Sequence, residues 1–207
     1  RYNVSREREE TFIAGFSMGG LGSLRLALKH CDKFAAVAAF EPGILPGLKW
    51  KDVKPENREF MSEELCERLY GKPFDEEYWE ANNPASIVTK DASRIRESGL
   101  EIYLECGDLD FLRLYDGAEF LHRTLLDKEI RHEYHLVRNA DHVDGTVVRR
   151  SMDGLMFLAR VMHPPNRDID ALLKQILGPE KTKRFQSIQG LDSNDPKEPE
   201  SSTKPAD

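Results

Sequence analysis

Five residues near the start of the chain, Gly15-Phe16-Ser17-Met18-Gly19, carry the pattern G-x-S-x-G. A serine between small neighbours suits a backbone that must turn sharply and hold a hydroxyl clear of its surroundings. Gly15, Gly19 and Gly20 remove side chains that would block such a turn, and Gly22 leaves room for the next segment to pack closely. An unassisted hydroxyl is a poor nucleophile; it needs a base to take its proton and an acid to orient that base. Two later stretches offer these groups: Cys106-Gly107-Asp108-Leu109-Asp110 carries two carboxylates, and Asn139-Ala140-Asp141-His142 carries an imidazole. Serine, acid, histidine is the chain order of acyl-transfer chemistry built on a nucleophile elbow. Asp110, three residues past Gly107, is the expected acid; Asp108 also qualifies by position and otherwise shapes the turn. His142 is the expected base, since His132 and His135 fall before or within a strand. The N–H of Met18, next after the serine, is the expected oxyanion donor. A metal-ligand reading of His135, Asp141, His142 and Asp144 matches no recognised spacing, so neither metal nor cofactor is expected.

For these groups to meet, each must sit at the same end of neighbouring strands. Thr11 to Gly15 is a short apolar run of strand formers, followed by Leu21, Leu24 and Leu28 at helical spacing. Phe34 to Phe40 reads as a second buried strand, closed by Glu41-Pro42-Gly43. Leu100 to Cys106 is a third and His132 to Val137 a fourth. A helix is expected over Asp116 to Leu126, and another from about Gly145 to Met162. Strands alternating with helices predict a parallel sheet flanked by helices, with one edge unfinished. Serine, acid and base candidates each follow a strand end, where ligands bind in such sheets.

Residues 46–84 interrupt the alternation with Trp50, Phe60, Tyr70, Phe74, Tyr78 and Trp79 among charges and prolines. The stretch reads either as a lid or pocket wall or as a surface excursion anchored by its aromatics, with a short helix from Ser62 to Gly71. The domain is expected to span 1–163, followed by a short helical extension at 164–178. From 179 to 207 only Phe185, Ile188, Leu191 and Ala206 are apolar, so this tail is expected to be disordered.

Composition narrows the partners. The 207 residues suffice for one core. The formal net charge is -7, with lysine and arginine scattered, so nucleic acid is not an expected partner. No apolar run approaches the roughly 20 residues of a membrane span, so a soluble chain is expected. Cys31, Cys66 and Cys106 are widely spaced and odd in number, which fits reduced thiols and a cytoplasmic setting.

The stretch FIAGFSMGGLGSLRLALKHCDKFAAVAAFEPG, residues 12–43, resembles the elbow region of the esterase D-like family of α/β-hydrolases. That family includes S-formylglutathione hydrolases, feruloyl and acetyl-xylan esterases, and mycolyltransferases. Its order of a G-x-S-M-G-G elbow, a K-F strand, a G-x-x-D turn and a late histidine is matched by Ser17 to Gly20, Lys33-Phe34, Gly107 to Asp110, and His142. The resemblance runs over about residues 10–162. It implies the α/β-hydrolase fold and cofactor-free hydrolysis of a small-molecule or carbohydrate-linked ester or thioester. Family members carry strands and an oxyanion-donating loop before the elbow, which the first ten residues are too few to hold; the expectation is a piece of a longer esterase. Alternatives are a non-catalytic binding module on the same fold or an inactive fragment and, ranked lower, a serine peptidase or lipase.

Overall fold

A computed structural model describes residues 4–164 and 169–188. The chain divides into two compact units, Arg1–Pro164 and Pro165–Asp207. In the first, four strands form one parallel sheet in sequential order: β1 (Phe12–Phe16), β2 (Ala36–Phe40), β3 (Glu101–Gly107) and β4 (Glu133–Val137). Phe16 pairs with Phe40, Phe40 with Glu105, and Gly107 with Val137, so the strand ends lie along one rim.

Helices cover both faces: the crossovers between these sequential parallel strands put their helices on one face, and the helix after the last strand covers the other. α1 (Met18–Lys29), α4 (Pro84–Ser98) and α5 (Leu114–Asp127) bury Leu24, Leu28, Val88, Ile95, Leu121 and Leu125 against Val37, Ala39, Ile102 and Leu104. α6 (Val147–Met162) packs Phe157 onto the other face, over Ala36, Ala38, Phe40 and Tyr103. The alanines of β2, all buried, keep both layers close to the sheet. Gly154 lets α6 come closer still, since a Cβ there would lie 2.3 Å from the Phe40 ring.

The stretch at 46–84 builds a small core of its own. α2 (Glu63–Tyr70) begins at Ser62, whose hydroxyl accepts from Leu65 N at 3.2 Å, and stops at Gly71. α3 (Glu76–Asn82) begins at Asp75, whose carboxylate accepts from Tyr78 N. Leu45, Val53, Tyr70 and Trp79 are buried together, with Trp50, Phe60, Met61 and Phe74 packed around them. The helices α3 and α4 were not among the sequence expectations. Both carry legible start signals, a capping aspartate in one and Pro84 at the first turn of the other.

The second unit contains α7 (Ile169–Leu177) and α8 (Pro179–Ile188), which pack on each other. α8 corrects the expectation that order ends at 179. Gly178, at φ 76°, ends α7, and Pro179 then opens α8. Thr182 returns both its amide and its hydroxyl to Gly178 O, at 3.1 and 2.9 Å. Sparse apolar content limits how much surface can be buried but does not forbid a helix with good local bonds and one neighbour. The rest of the expected tail, 189–207, lies outside the described residues. Among the described residues no helix is long and apolar enough to cross a membrane.

Candidate active site

Ser17 sits between β1 and α1 with φ 55° and ψ −119°, a strained backbone for a residue with a Cβ. The turn is held by Ser17 N donating to Phe40 O at 2.9 Å and by Gly43 N donating to Ser17 O at 3.1 Å. It also requires Gly15, where a Cβ would fall 2.2 Å from Gly19 O. Met18 opens α1, so its N–H has no partner within the helix and is free to donate. The strain therefore exposes a hydroxyl beside an unused donor and the positive end of a helix dipole.

The two loops beyond β3 and β4 deliver the other groups. His142 Nε2 lies 3.1 Å from Ser17 Oγ, and His142 Nδ1 lies 2.8 Å from Asp110 Oδ2. Asp110 Oδ1 accepts from Leu112 N at 2.7 Å, which fixes the carboxylate plane. Asp110 is 2% exposed and His142 7%, so water competes little for either hydrogen bond. Phe16 and Phe111 flank the imidazole at ring separations of 5.2 and 5.7 Å.

Asp108 faces elsewhere. Its Oδ1 accepts from Asn139 N at 2.7 Å and its Oδ2 pairs with Arg138 at 3.1 Å. These bonds belong to a wider seam between the two loops. Asp108 N donates to Val137 O, Leu109 N to Ala140 O, and Phe111 N to Asp141 Oδ1, each at 3.0 Å. His132 is paired with His122 at 2.8 Å, and His135 stacks on Tyr103. Asp144 is held by Thr146 and by Asp141 N, bonds that depress its carboxyl to about 2. His135, Asp141, His142 and Asp144 are thus not brought together as ligands.

Sequence reasoning missed a buried ionic cluster beside Asp110. Arg150 of α6 contacts Glu41 and hydrogen-bonds Glu105 at 2.7 Å and Asp141 O at 2.7 Å. Glu41 also accepts from Gly107 N and from the Cys106 thiol, both at 2.8 Å. Glu41, Cys106 and Asp110 are the one group of three potential metal donors among the described residues, with ligand atoms within 4.8 Å of one another. The guanidinium already supplies the positive charge there, so the donors fit an ion-pair network better than a metal. Two signals were available: Glu41 ends an all-apolar strand, and Arg150 shares a helical face with Gly154 and Phe157.

Beside the elbow, Met18, Leu21 and Gly43 face Met61, Tyr70 and Trp79 across a small cavity. The 46–84 stretch thus shares a cavity with Met18, the residue after Ser17.

The chain is 29% identical over 111 residues to an acetyl esterase of Caldicellulosiruptor saccharolyticus, a match covering 54% of this chain and 41% of that protein. Its fold is that of a solved ferulic acid esterase, at TM-score 0.58 and 21% identity, covering 78% of this chain and 55% of the other. It is equally that of an S-formylglutathione hydrolase from Agrobacterium tumefaciens, at TM-score 0.57 and 23% identity, covering 75% and 50%. These are α/β-hydrolase folds, and the chain spans about half the length of each relative. Residues 1–147 match the family model described as "Putative esterase", and the chain belongs to that family.

Proposed function

We propose that this chain carries the catalytic triad of a serine carboxylic-ester or thioester hydrolase, with Ser17 as nucleophile, His142 as base and Asp110 as orienting acid. The observation that carries this reading is the continuous hydrogen-bond path from Asp110 Oδ2 through both imidazole nitrogens to Ser17 Oγ, ending at a strained elbow. Membership of an esterase family supports the reaction class.

In the proposed reaction His142 Nε2 takes the Ser17 proton as Oγ bonds to the ester carbonyl carbon. Asp110 keeps the other proton on Nδ1 and stabilises the imidazolium. The Met18 N–H donates to the carbonyl oxygen as it becomes an anion. The alcohol or thiol departs with the proton from Nε2, leaving an acyl group on Oγ. Water, deprotonated by His142, then releases the acid and restores the serine. The substrate is proposed to be a small-molecule or carbohydrate-linked ester, its acyl group lying toward the wall formed by Met61, Tyr70 and Trp79. No metal or cofactor takes part in these steps.

The test is fluorophosphonate labelling of the protein at its natural length, compared with Ser17→Ala. Labelling of the wild type that disappears in Ser17→Ala supports the reading. A folded wild type that resists the probe, or a labelled Ser17→Ala, would overturn it.

A further inference from the structure

Three buried carboxyl groups, Glu41, Glu105 and Asp110, lie close to a single buried guanidinium, Arg150, each of the four no more than 2% exposed. With His142 neutral, as a base must be, full ionisation of all three acids would leave two uncompensated negative charges out of water. Burial makes that costly, and a cluster of this kind retains a proton.

The geometry decides where that proton sits. Burial raises the Glu105 carboxyl too, but its Oε1 is bonded to Arg150 and its Oε2 has no partner, so a proton there would be shared with no second carboxyl. The Glu41 carboxyl, by contrast, lies buried beside the Asp110 carboxyl, with oxygens of the two within 4.8 Å of one another, and two carboxyl groups brought together in this way can share a hydrogen bond only through a proton. We propose that Glu41 is a protonated positioning residue that donates to Asp110, holding it against His142 without adding a second charge to the site. The proposal rests on the Ser17–His142–Asp110 reading given above.

Other features agree. Glu41 sits at φ 43° immediately after β2, a conformation that aims its side chain inward beneath the acid loop. Burial first, and the bond to Asp110 second, raise its carboxyl to about 8 against the thiol, guanidinium and Gly107 N–H contacts, which lower it. The charged and titratable neighbours are Glu105 and Cys106 from β3, Asp110 from the loop after it, and Arg150 from α6, which also pairs with Asp144 at 3.7 Å, with His142 beyond Asp110. The arrangement has an electrostatic consequence. With Glu41 protonated, the resting site stays net negative, Glu105, Asp110 and the partly exposed Asp144 outnumbering Arg150, and the imidazolium formed during acyl transfer offsets part of that charge, so the transition state is favoured over the ground state.

The second-order rate of fluorophosphonate labelling is measured from pH 5 to pH 10 for wild type, Glu41→Gln and Glu41→Leu. In the wild type the rate falls severalfold above about pH 8, as Glu41 ionises, repels Asp110 and ceases to donate. Glutamine keeps an N–H donor that cannot ionise, so its profile shows no alkaline fall. Leucine removes the donor and labels at least tenfold more slowly than glutamine near pH 7. A Gln variant that retains the alkaline fall, or Gln and Leu variants that label equally, would overturn the proposal. If Glu41→Leu does not fold, the Gln profile alone decides. Failure of the triad reading looks different: the wild type is then unlabelled, or Ser17→Ala is labelled.

Discussion

Replacing Asp110 by asparagine changes one atom and tests the whole path. Both carboxylate oxygens are committed, Oδ2 to His142 Nδ1 at 2.8 Å and Oδ1 to Leu112 N at 2.7 Å. An amide has one acceptor. If its oxygen keeps Leu112 N–H, its NH2 faces Nδ1 and forces the imidazole proton onto Nε2, where it cannot accept from Ser17. If the amide flips, two buried donors meet head to head, which costs about 1–3 kcal/mol. At about 1.4 kcal/mol per decade, only about one molecule in 10 to 100 then holds the competent tautomer. The imidazolium also loses its counter-charge in a site where water screens little. Together these amount to a fall in kcat of about 1,000- to 10,000-fold with KM little changed. Asp108→Asn keeps an acceptor for Asn139 N and loses only an ion pair with a well-exposed arginine, so it should stay within about threefold of wild type. The assay is hydrolysis of p-nitrophenyl acetate near neutral pH, with folding checked by circular dichroism. Asp110→Asn retaining more than a tenth of the rate, or Asp108→Asn matching its loss, would refute the assignment of the acid.

Two further outcomes follow from packing. Gly154→Ala drives a methyl into the Phe40 ring, 2.3 Å away, and should destabilise the fold by about 1–3 kcal/mol in urea unfolding; an unchanged midpoint would mean that α6 does not sit tightly on the sheet. All three cysteines are buried and free, and burial raises the thiols of Cys66 and Cys106, the latter further through Glu41. Native protein at pH 8 should therefore react with a disulfide reagent only as fast as it unfolds, and prompt release of a full equivalent would contradict that burial.

The elbow was legible because everything it needs is local: a strand, a tight glycine-flanked turn and a helix lie within eighteen residues, Phe12 to Lys29. The four strands were legible for a related reason, each being a short apolar run closed by turn residues. α3 and α4 were not legible because seven residues are too few to show a helical period and the kink at Asp91 breaks the apolar spacing of α4. Glu41 and Arg150 were missed for a deeper reason. They lie 109 residues apart, and their role depends on a burial that neither neighbourhood reveals. A lone acid at a strand end reads as a stop, and an arginine in a helix reads as surface. Spacing after Gly107 favoured Asp110, but Asp108 also qualified by position; the seam to the β4 loop turns Asp108 toward Asn139 and Arg138.

That seam has an effect on how rate depends on temperature. Four hydrogen bonds, at Asp108 N, Leu109 N, Phe111 N and Asn139 N, join the loop bearing Asp110 to the loop bearing His142. Asp110 and His142, the proposed acid and base, are thereby tied together, and on that reading their relative orientation is settled when the chain folds rather than when substrate arrives. Little activation entropy is left for aligning the imidazole. The barrier to acyl transfer should then be mainly enthalpic, with an Eyring plot that stays straight up to the onset of unfolding. Cutting the seam, as Asp108→Ala does by freeing Asn139 N, would shift the cost toward entropy before it changes the rate at any one temperature by much.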